Sequence, residues 1–304
     1  MAPSATQVLP DDVRDRIARL SLTAGTLVEG PIAGQHRSPY QGFSVEFAQH
    51  REYTWGDELK HVDWKVFART DRYYVKQYEE ETNLHANVLL DQSESMLYRG
   101  RRAAASKYED GATIAAGLAF VLQRQQDAMG LYLFDDRVRR KVPPSAHPSQ
   151  VNNLARAMAE VELRGESPEA APILHQVAEE MSRRGVVFII SDFFMPRAGL
   201  VDGIRHLRHR RHQVVVFHVL DPDERTFPFD DMTQFEGLEL PRALLCDPRA
   251  LREAYLEALS GFKAEVTRAC LDAKAEYVEV DTSVPVAVTL SSFLSQRQKR
   301  RGRG

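Results

Sequence analysis

Cysteine is scarce in this chain. Its 304 residues contain only Cys246 and Cys270, and neither belongs to a CxxC or another metal-ligand spacing. Two isolated thiols provide neither a disulfide framework nor a soft-ligand metal site, and such cysteine usage is expected in a reducing compartment.

Long apolar runs are also missing. The longest, residues 112–122, is about half of the ~20 residues that a membrane helix requires. The first residues show no basic segment followed by an apolar core, so we expect neither a membrane span nor a signal peptide. These absences favour a cytoplasmic protein.

A large excess of one charge is absent as well, since the formal net charge is −3. Cationic residues concentrate at 204–212 and at 297–304, and we expect the second segment to be a disordered basic tail. Histidines 206, 209 and 212 lie among arginines that disfavour another cation, so a solvated helix face is favoured over a metal site. Nucleic-acid binding is the weakest hypothesis, because no aromatic stacking platform accompanies these basic residues.

Composition divides the rest of the chain into three regions. Residues 1–29 are expected to be a tail with a short helix over DDVRDRIARLSL. Residues 30–83 contain frequent glycine and proline, dense aromatic residues and an alternation of period two from Tyr74 to Thr82. This texture predicts a small β-rich module.

Residues 84–296 alternate between apolar strand patterns and helical patterns. HANVLL, AMGLYLF, VVFIIS, QVVVFHVL and AEYVEVD are the predicted strands, and a hairpin insertion is expected within residues 223–246. Alternation on this scale predicts an α/β domain with a mostly parallel sheet and helices on both faces.

Oxygen-bearing side chains follow two of the most apolar strands. Asp91, Ser93 and Ser95 follow HANVLL, and Asp192 follows VVFIIS. Ligand sites of open α/β sheets form outside the carboxyl ends of the strands, where the strand order reverses, so both acids are expected at one edge. Ser167, just before a predicted helix, is expected at the same edge. Two carboxylates and three hydroxyls are ligands that suit Mg²⁺ or Mn²⁺.

This pattern resembles the metal-ion-dependent adhesion site of von Willebrand factor A domains. The resemblance implies a von Willebrand A-like fold of the Rossmann type, in which Asp91, Ser93, Ser95, Ser167 and Asp192 coordinate the metal ion. The adhesion site usually has threonine at the position of Ser167, and serine is a chemically sufficient ligand.

A second motif, REYTWGDELKHVDWKVFART, resembles the signature of the domain-of-unknown-function 58 family, DUF58. The matching residues are Arg51, Tyr53, Gly56, Asp57, Asp63, Trp64, Ala68 and Arg69. Members of this family typically occur with MoxR-type AAA+ ATPases. The resemblance therefore implies an adaptor that works with such an ATPase or with the ATPase's client.

The signature residues have two interpretations. Asp57, Asp63 and Arg69 are favoured as a structural ion-pair network, with Trp64 as its packing anchor, over a binding role. The same structural interpretation is favoured for Arg51 and Tyr53.

Two hypotheses about function from different classes remain open. The leading one is a non-enzymatic adaptor whose metal ion receives a carboxylate from a protein partner. The alternative is a Mg²⁺-dependent phosphatase or other phosphoryl-transfer hydrolase with Asp91 as nucleophile. The haloacid-dehalogenase pattern that such an enzyme would resemble has a second aspartate two residues on, as general acid, and this chain has Ser93 there. For DQSES itself, a capped strand-to-helix turn without a metal ion is the simpler alternative.

Overall fold

A computed structural model describes residues 45–53, 62–70, 72–80, 84–161, 170–194, 197–238 and 243–301. These residues form two compact units, which meet in the sequence between Leu84 and His85. The predictions for residues 1–29, for Gly56 and Asp57, and for Ser167 lie outside the described residues.

The described residues of the first unit form two antiparallel strands and one helix. Strand β1 (Val45–Glu52) pairs with β2 (Tyr74–Glu80), and helix α1 (Trp64–Thr70) lies between them in the sequence. The Tyr53 amide donates to the Tyr73 carbonyl at 2.9 Å and extends this pairing. The region predicted to be β-rich therefore contains a small sheet and a helix.

Most of the described signature residues belong to α1 or directly precede it. Asp63 precedes α1, and its Oδ1 accepts a hydrogen bond from the Val66 amide at 3.3 Å, which is the role of a helix cap. Trp64 is 57% exposed and touches Phe67 edge-on, so the expectation that it is a buried packing anchor is wrong. Arg69 is exposed at the last turn of the helix, where a cation interacts favourably with the helix dipole. Arg51 lies in β1 opposite Val75, and the ion-pair network stays a prediction.

The second unit alternates strands and helices along its length. Its elements are β3 (His85–Asp91), α2 (Lys107–Arg124), β4 (Ala128–Phe134), β5 (Val138–Ser145), α3 (Gln150–Ala159), α4 (Ala170–Glu180), β6 (Gly185–Ser191), α5 (Arg197–His209), β7 (Gln213–Leu220), α6 (Pro222–Thr226), β8 (Thr233–Glu236), β9 (Ala243–Cys246), α7 (Pro248–Asp272), β10 (Glu276–Asp281) and α8 (Val286–Arg301). A 3₁₀ turn, Glu94–Leu97, follows β3.

Six strands form one sheet in the order β5-β4-β3-β6-β7-β10. All neighbouring pairs are parallel except β4 and β5. The predicted mostly parallel α/β sheet is therefore confirmed. The strand order reverses direction between β3 and β6, which makes the carboxyl end of this pair the topological switch point.

Edge strand β5 is not anticipated by the sequence pattern. Its segment, VRRKVPPS, has two consecutive prolines, and its side chains are exposed or only half-buried. Proline is tolerated there because one edge of an outer strand needs no ladder hydrogen bonds.

Helix α2 packs directly against the two strands of the switch point. A Cβ atom added at Gly111 would lie 2.9 Å from Leu90 Cδ1 and 3.1 Å from Ile190 Cγ2, so the absence of a side chain at Gly111 lets the helix approach these strands closely. Lys107 lies four residues earlier, on the same helical face as Gly111. The glycine contact therefore brings the start of α2 over the carboxyl ends of β3 and β6.

Sequence predictions were also made for the insertion at residues 223–246 and for the C-terminal segment. Strands β8 and β9 pair as an antiparallel hairpin inside residues 223–246. The expected disordered tail is wrong for residues 297–301, because α8 continues to Arg301. The segment QRQKRR contains good helix formers and no glycine or proline, and cations are favourable at a helix C-terminus. None of the described helices combines the length and apolarity needed to cross a membrane.

A buried histidine near the switch point makes the stability of this unit sensitive to acid. His218 in β7 is fully buried, with Phe193 and Phe262 against its ring and Tyr277 Oη 2.9 Å from its Nδ1. Burial lowers the pKa of His218 from 6.5 to about 4. The unfolded chain therefore binds a proton below about pH 6.5 that the native protein does not accept, so this contribution to stability is lost as the pH falls towards 4.

The substitution His218→Phe removes this acid sensitivity while it retains the aromatic packing. Between about pH 7.5 and about pH 5, the free energy of unfolding of the wild type should fall by roughly 2 kcal/mol relative to the variant. Urea unfolding at the two pH values measures this difference. His209→Phe, at an exposed position, should retain the wild-type pH dependence, and equal pH dependence in all three proteins would contradict the assignment.

Candidate metal centre

Strands β3 and β6 deliver two carboxylates to the switch point. Asp91 is the last residue of β3, and Asp192 directly follows β6. Leu90 pairs with Ile190 in the parallel register, so the next residues of both strands lie at the same edge of the sheet. Both acids are buried, with 0% and 1% of their surfaces exposed. The sequence prediction that these acids meet at one edge is consistent with this geometry.

Asp91 is held by hydrogen bonds from both strands. Its Oδ1 accepts from the Ser93 amide at 2.8 Å, and its Oδ2 accepts from the Ser191 hydroxyl at 2.6 Å. Ser191 was missed by the sequence analysis, although a serine at the end of an otherwise apolar buried strand is itself a signal. The hydroxyl fixes the orientation of the carboxylate in the absence of a metal ion.

The serines after β3 turn towards each other. Ser93 and Ser95 have their hydroxyl oxygens 3.1 Å apart, on either side of the start of the 3₁₀ turn. Ser93 is fully buried and Ser95 is half-buried. The turn therefore brings the two hydroxyls together beside Ser93, whose amide bonds Asp91, and their role as metal ligands stays a prediction. Ser167 stays a prediction.

The electrostatics of Asp91 show a shortage of positive charge. Burial, and then the charge of Asp192, raise the pKa of Asp91 to about 7, although the hydrogen bonds from Ser191 and Ser93 oppose this shift. Two carboxylates without a shared counter-ion repel each other in a low-dielectric site. A cation between them would remove this repulsion.

Asp192 has a cation already. The Lys107 ammonium lies 2.7 Å from Asp192 Oδ2 and 2.6 Å from Glu224 Oε1, and the lysine side chain is 1% exposed. Burial opposes the charged form, but Asp192 and then Glu224 outweigh it and raise the pKa of Lys107 above its usual range. The ammonium is therefore a permanent part of this edge.

Lys107 was also missed by the sequence analysis. It is the first residue of α2, whose N-terminus is closed by a reciprocal pair of hydrogen bonds between Ser106 and Glu109. A lysine there is unfavourable with respect to the helix dipole. Such a placement in front of an apolar helix was the available signal of a specific ionic partner.

Charge counting indicates what this edge lacks. Three buried or nearly buried carboxylates, those of Asp91, Asp192 and Glu224, meet one buried ammonium, that of Lys107. Lys107 pairs with Asp192 and Glu224, whereas the hydrogen bonds to Asp91 come from neutral groups. A divalent cation beside Asp91 would supply positive charge there.

The donor atoms also restrict the kind of ion. Within the described ranges, no group of three or more histidine, cysteine, aspartate or glutamate side chains is arranged to hold a metal ion. The edge instead offers two aspartates and neighbouring serine hydroxyls. Hard oxygen donors with few carboxylates fit Mg²⁺ or Mn²⁺, and they do not fit the nitrogen- and sulfur-rich sites that zinc prefers.

The strand order, the antiparallel edge strand and the acidic switch point define a doubly wound α/β domain of the Rossmann type. The chain belongs to the family described as "Protein of unknown function DUF58", whose family model matches residues 49–264. That match includes Asp91, Ser93, Ser95, Ser167 and Asp192, together with the whole upstream signature.

The relatives cover a larger share of this chain than the solved structures do. Uncharacterized proteins of Mycobacterium bovis and Mycobacterium tuberculosis are each 25% identical over 286 residues, which cover 92% of this chain and 88% of theirs. The conserved hypothetical protein BatB of Bacteroides thetaiotaomicron is 16% identical, with a TM-score of 0.49 and coverage of 71% of this chain and 99% of BatB. The VWA domain of SpRpn10 is 13% identical, with a TM-score of 0.38 and coverage of 68% and 93%.

The Ser191 hydroxyl should stabilise the site in the absence of metal ions. Ser191→Ala removes the 2.6 Å hydrogen bond to a buried carboxylate, and it should lower the free energy of unfolding by about 1–3 kcal/mol. Urea unfolding in chelator at about pH 8 measures the effect. Ser291→Ala removes an exposed hydroxyl that bonds a backbone carbonyl and should stay within about 0.5 kcal/mol of the wild type. Similar values for the two variants would contradict the role of Ser191.

Proposed function

We propose that this protein is a non-enzymatic, metal-dependent adaptor. Mg²⁺ or Mn²⁺ would be held at the sheet edge by Asp91, Ser93 and Ser95, with Asp192 and Ser167 completing the set. The observation that supports this proposal most directly is the meeting of two buried carboxylates at the switch point, where Asp192 is paired with Lys107 and the hydrogen bonds to Asp91 come from neutral groups.

The chemistry of the ligands indicates how a partner is bound. Neutral hydroxyls donate less negative charge to an ion than carboxylates do, so a metal ion held largely by serines is electron-poor. When bound, the ion would supply a position that attracts an oxygen anion. A partner's aspartate or glutamate is the protein group that matches this position.

The identity of the partner follows from the family resemblance. DUF58 proteins typically occur with MoxR-type AAA+ ATPases, so we infer that the partner is such an ATPase or its client and that the complex is cytoplasmic. Nucleic acid is a weaker candidate. The basic segments 204–212 and 297–304 contain no phenylalanine, tyrosine or tryptophan on which bases could stack.

The enzymatic alternative is a Mg²⁺-dependent phosphatase with Asp91 as nucleophile. Its position after an apolar strand favours that chemistry. Ser93 replaces the expected general acid, and both oxygens of Asp91 accept internal hydrogen bonds in a fully buried position. The adaptor therefore fits the geometry better.

Asp91→Asn tests the adaptor. The neutral amide relieves the repulsion from Asp192, so the variant should fold in chelator at least as stably as the wild type. It should lose the rise in melting temperature that Mg²⁺ gives the wild type. Capture of the ATPase in Mg²⁺ should fall by about tenfold or more, which is roughly 1.4 kcal/mol of binding free energy.

The matched control is Asp281→Asn, which makes the same change at the end of β10, next to Arg225. This variant should keep both the response to Mg²⁺ and the capture of the ATPase. Capture that survives in Asp91→Asn or in chelator would contradict the adaptor. Mg²⁺-dependent hydrolysis of a phosphate ester, lost in Asp91→Asn, would instead support the phosphatase.

A further inference from the structure

Lys107 is bonded to one acid of the candidate metal centre and to one acid outside it. Asp192 belongs to the expected ligand set, whereas Glu224 lies in the short helix α6. The aromatic rings of Tyr98 and Phe194 lie 5.8 and 5.0 Å from the ammonium. Carboxylates and ring faces therefore enclose a cation that is almost completely removed from solvent.

The two acids of the centre differ in the partners of their oxygens. Asp192 Oδ2 accepts from Lys107, and Asp192 Oδ1 accepts from the Phe194 amide at 3.2 Å. The hydrogen bonds to Asp91 come from neutral groups, the Ser93 amide at 2.8 Å and the Ser191 hydroxyl at 2.6 Å among them. A divalent ion thus meets no cation at Asp91, but it meets the lysine ammonium at Asp192.

Glu224 is fixed independently of Lys107. Its Oε2 accepts from the Asp221 amide at 2.8 Å as part of the reciprocal cap of α6, and its Oε1 accepts from Lys107. Asp221 in turn accepts from the Gly100 amide at 2.8 Å. Glu224 would therefore stay in place if the ammonium released Asp192.

We propose that Lys107 is a built-in cation that competes with the divalent metal ion for Asp192, and that Glu224 is the fixed carboxylate that retains the ammonium when the metal ion binds Asp192. This inference rests on the metal centre of the proposed function. Lys107 and Glu224 would together set the affinity of the centre for the metal ion, although neither residue is one of its ligands.

The direct test uses full-length protein from which metal has first been removed with chelator. The protein is then titrated with Mn²⁺, and electron paramagnetic resonance measures the free ion. Lys107→Met should bind Mn²⁺ about tenfold or more tightly than the wild type, because a competing unit charge within a few ångströms of the ion is removed. Lys141→Met removes a more exposed lysine that pairs with Glu180. This control should stay within about twofold of the wild type, because distant exposed charges are screened by salt.

Glu224→Gln should change the affinity for Mn²⁺ in the opposite direction, and this variant keeps the lysine. Without Glu224 the ammonium belongs to Asp192 alone, so Mn²⁺ should bind about threefold or more weakly. Glu180→Gln, which removes the acid of the control pair, should again stay within about twofold. If Lys107→Met does not fold, the comparison of Glu224→Gln with Glu180→Gln tests the proposal instead. Unchanged or tighter binding of Mn²⁺ by Glu224→Gln would overturn it.

The double variant separates competition from a general effect of charge. If Glu224 acts through Lys107, Glu224→Gln should weaken Mn²⁺ binding less in the Lys107→Met background than in the wild type. An equal factor in both backgrounds would show that Glu224 contributes only its charge, and would overturn its assigned role.

The outcomes also distinguish this inference from the proposed function. Wild-type protein that binds Mn²⁺, together with a Lys107→Met variant that binds no more tightly, would overturn the competition and leave the metal centre standing. Folded proteins that all fail to bind Mn²⁺ would overturn both. Binding by Lys107→Met alone would support the competition, because the lysine then prevents binding in the wild type.

Discussion

Repulsion between two buried carboxylates is the constraint on which the functional end of this domain depends. Asp91 and Asp192 are brought together because β3 and β6 are parallel neighbours at the point where the strand order reverses. Neither acid has access to water that could screen its charge. The structure must therefore provide positive charge or hydrogen-bond donors at this edge, and each neighbouring element contributes one of them.

The response to this repulsion is distributed over distant parts of the chain. The loop after β3 contributes the Ser93 amide, β6 contributes the Ser191 hydroxyl, and α2 contributes the Lys107 ammonium. Lys107 reaches the edge because Gly111 permits close packing of α2 on the sheet. The short helix α6 supplies Glu224, which balances the lysine. Fold and site are thus coupled, because the glycine contact serves both.

Sequence reasoning recovers the parts of this arrangement that have local signals. The buried strands are continuous apolar segments, and Asp91 and Asp192 stand directly after two of them, so the sheet and the meeting of the acids were predictable. Lys107 and Glu224 were not, because they are separated by 117 positions and pair only through the folded sheet. Strand β5 was not predicted because proline is rare in strands. Trp64 was predicted to be a packing anchor, although its position on the helix leaves it exposed.

The central claim is that the two acids share one divalent ion, and anomalous scattering from crystals grown with Mn²⁺ tests it most directly. The account predicts a single peak at the carboxyl edge of β3 and β6, about 2.1–2.2 Å from oxygens of the DQSES loop and beside Asp192. A fully ordered edge without an anomalous peak, or a peak bound elsewhere on the domain, would contradict it.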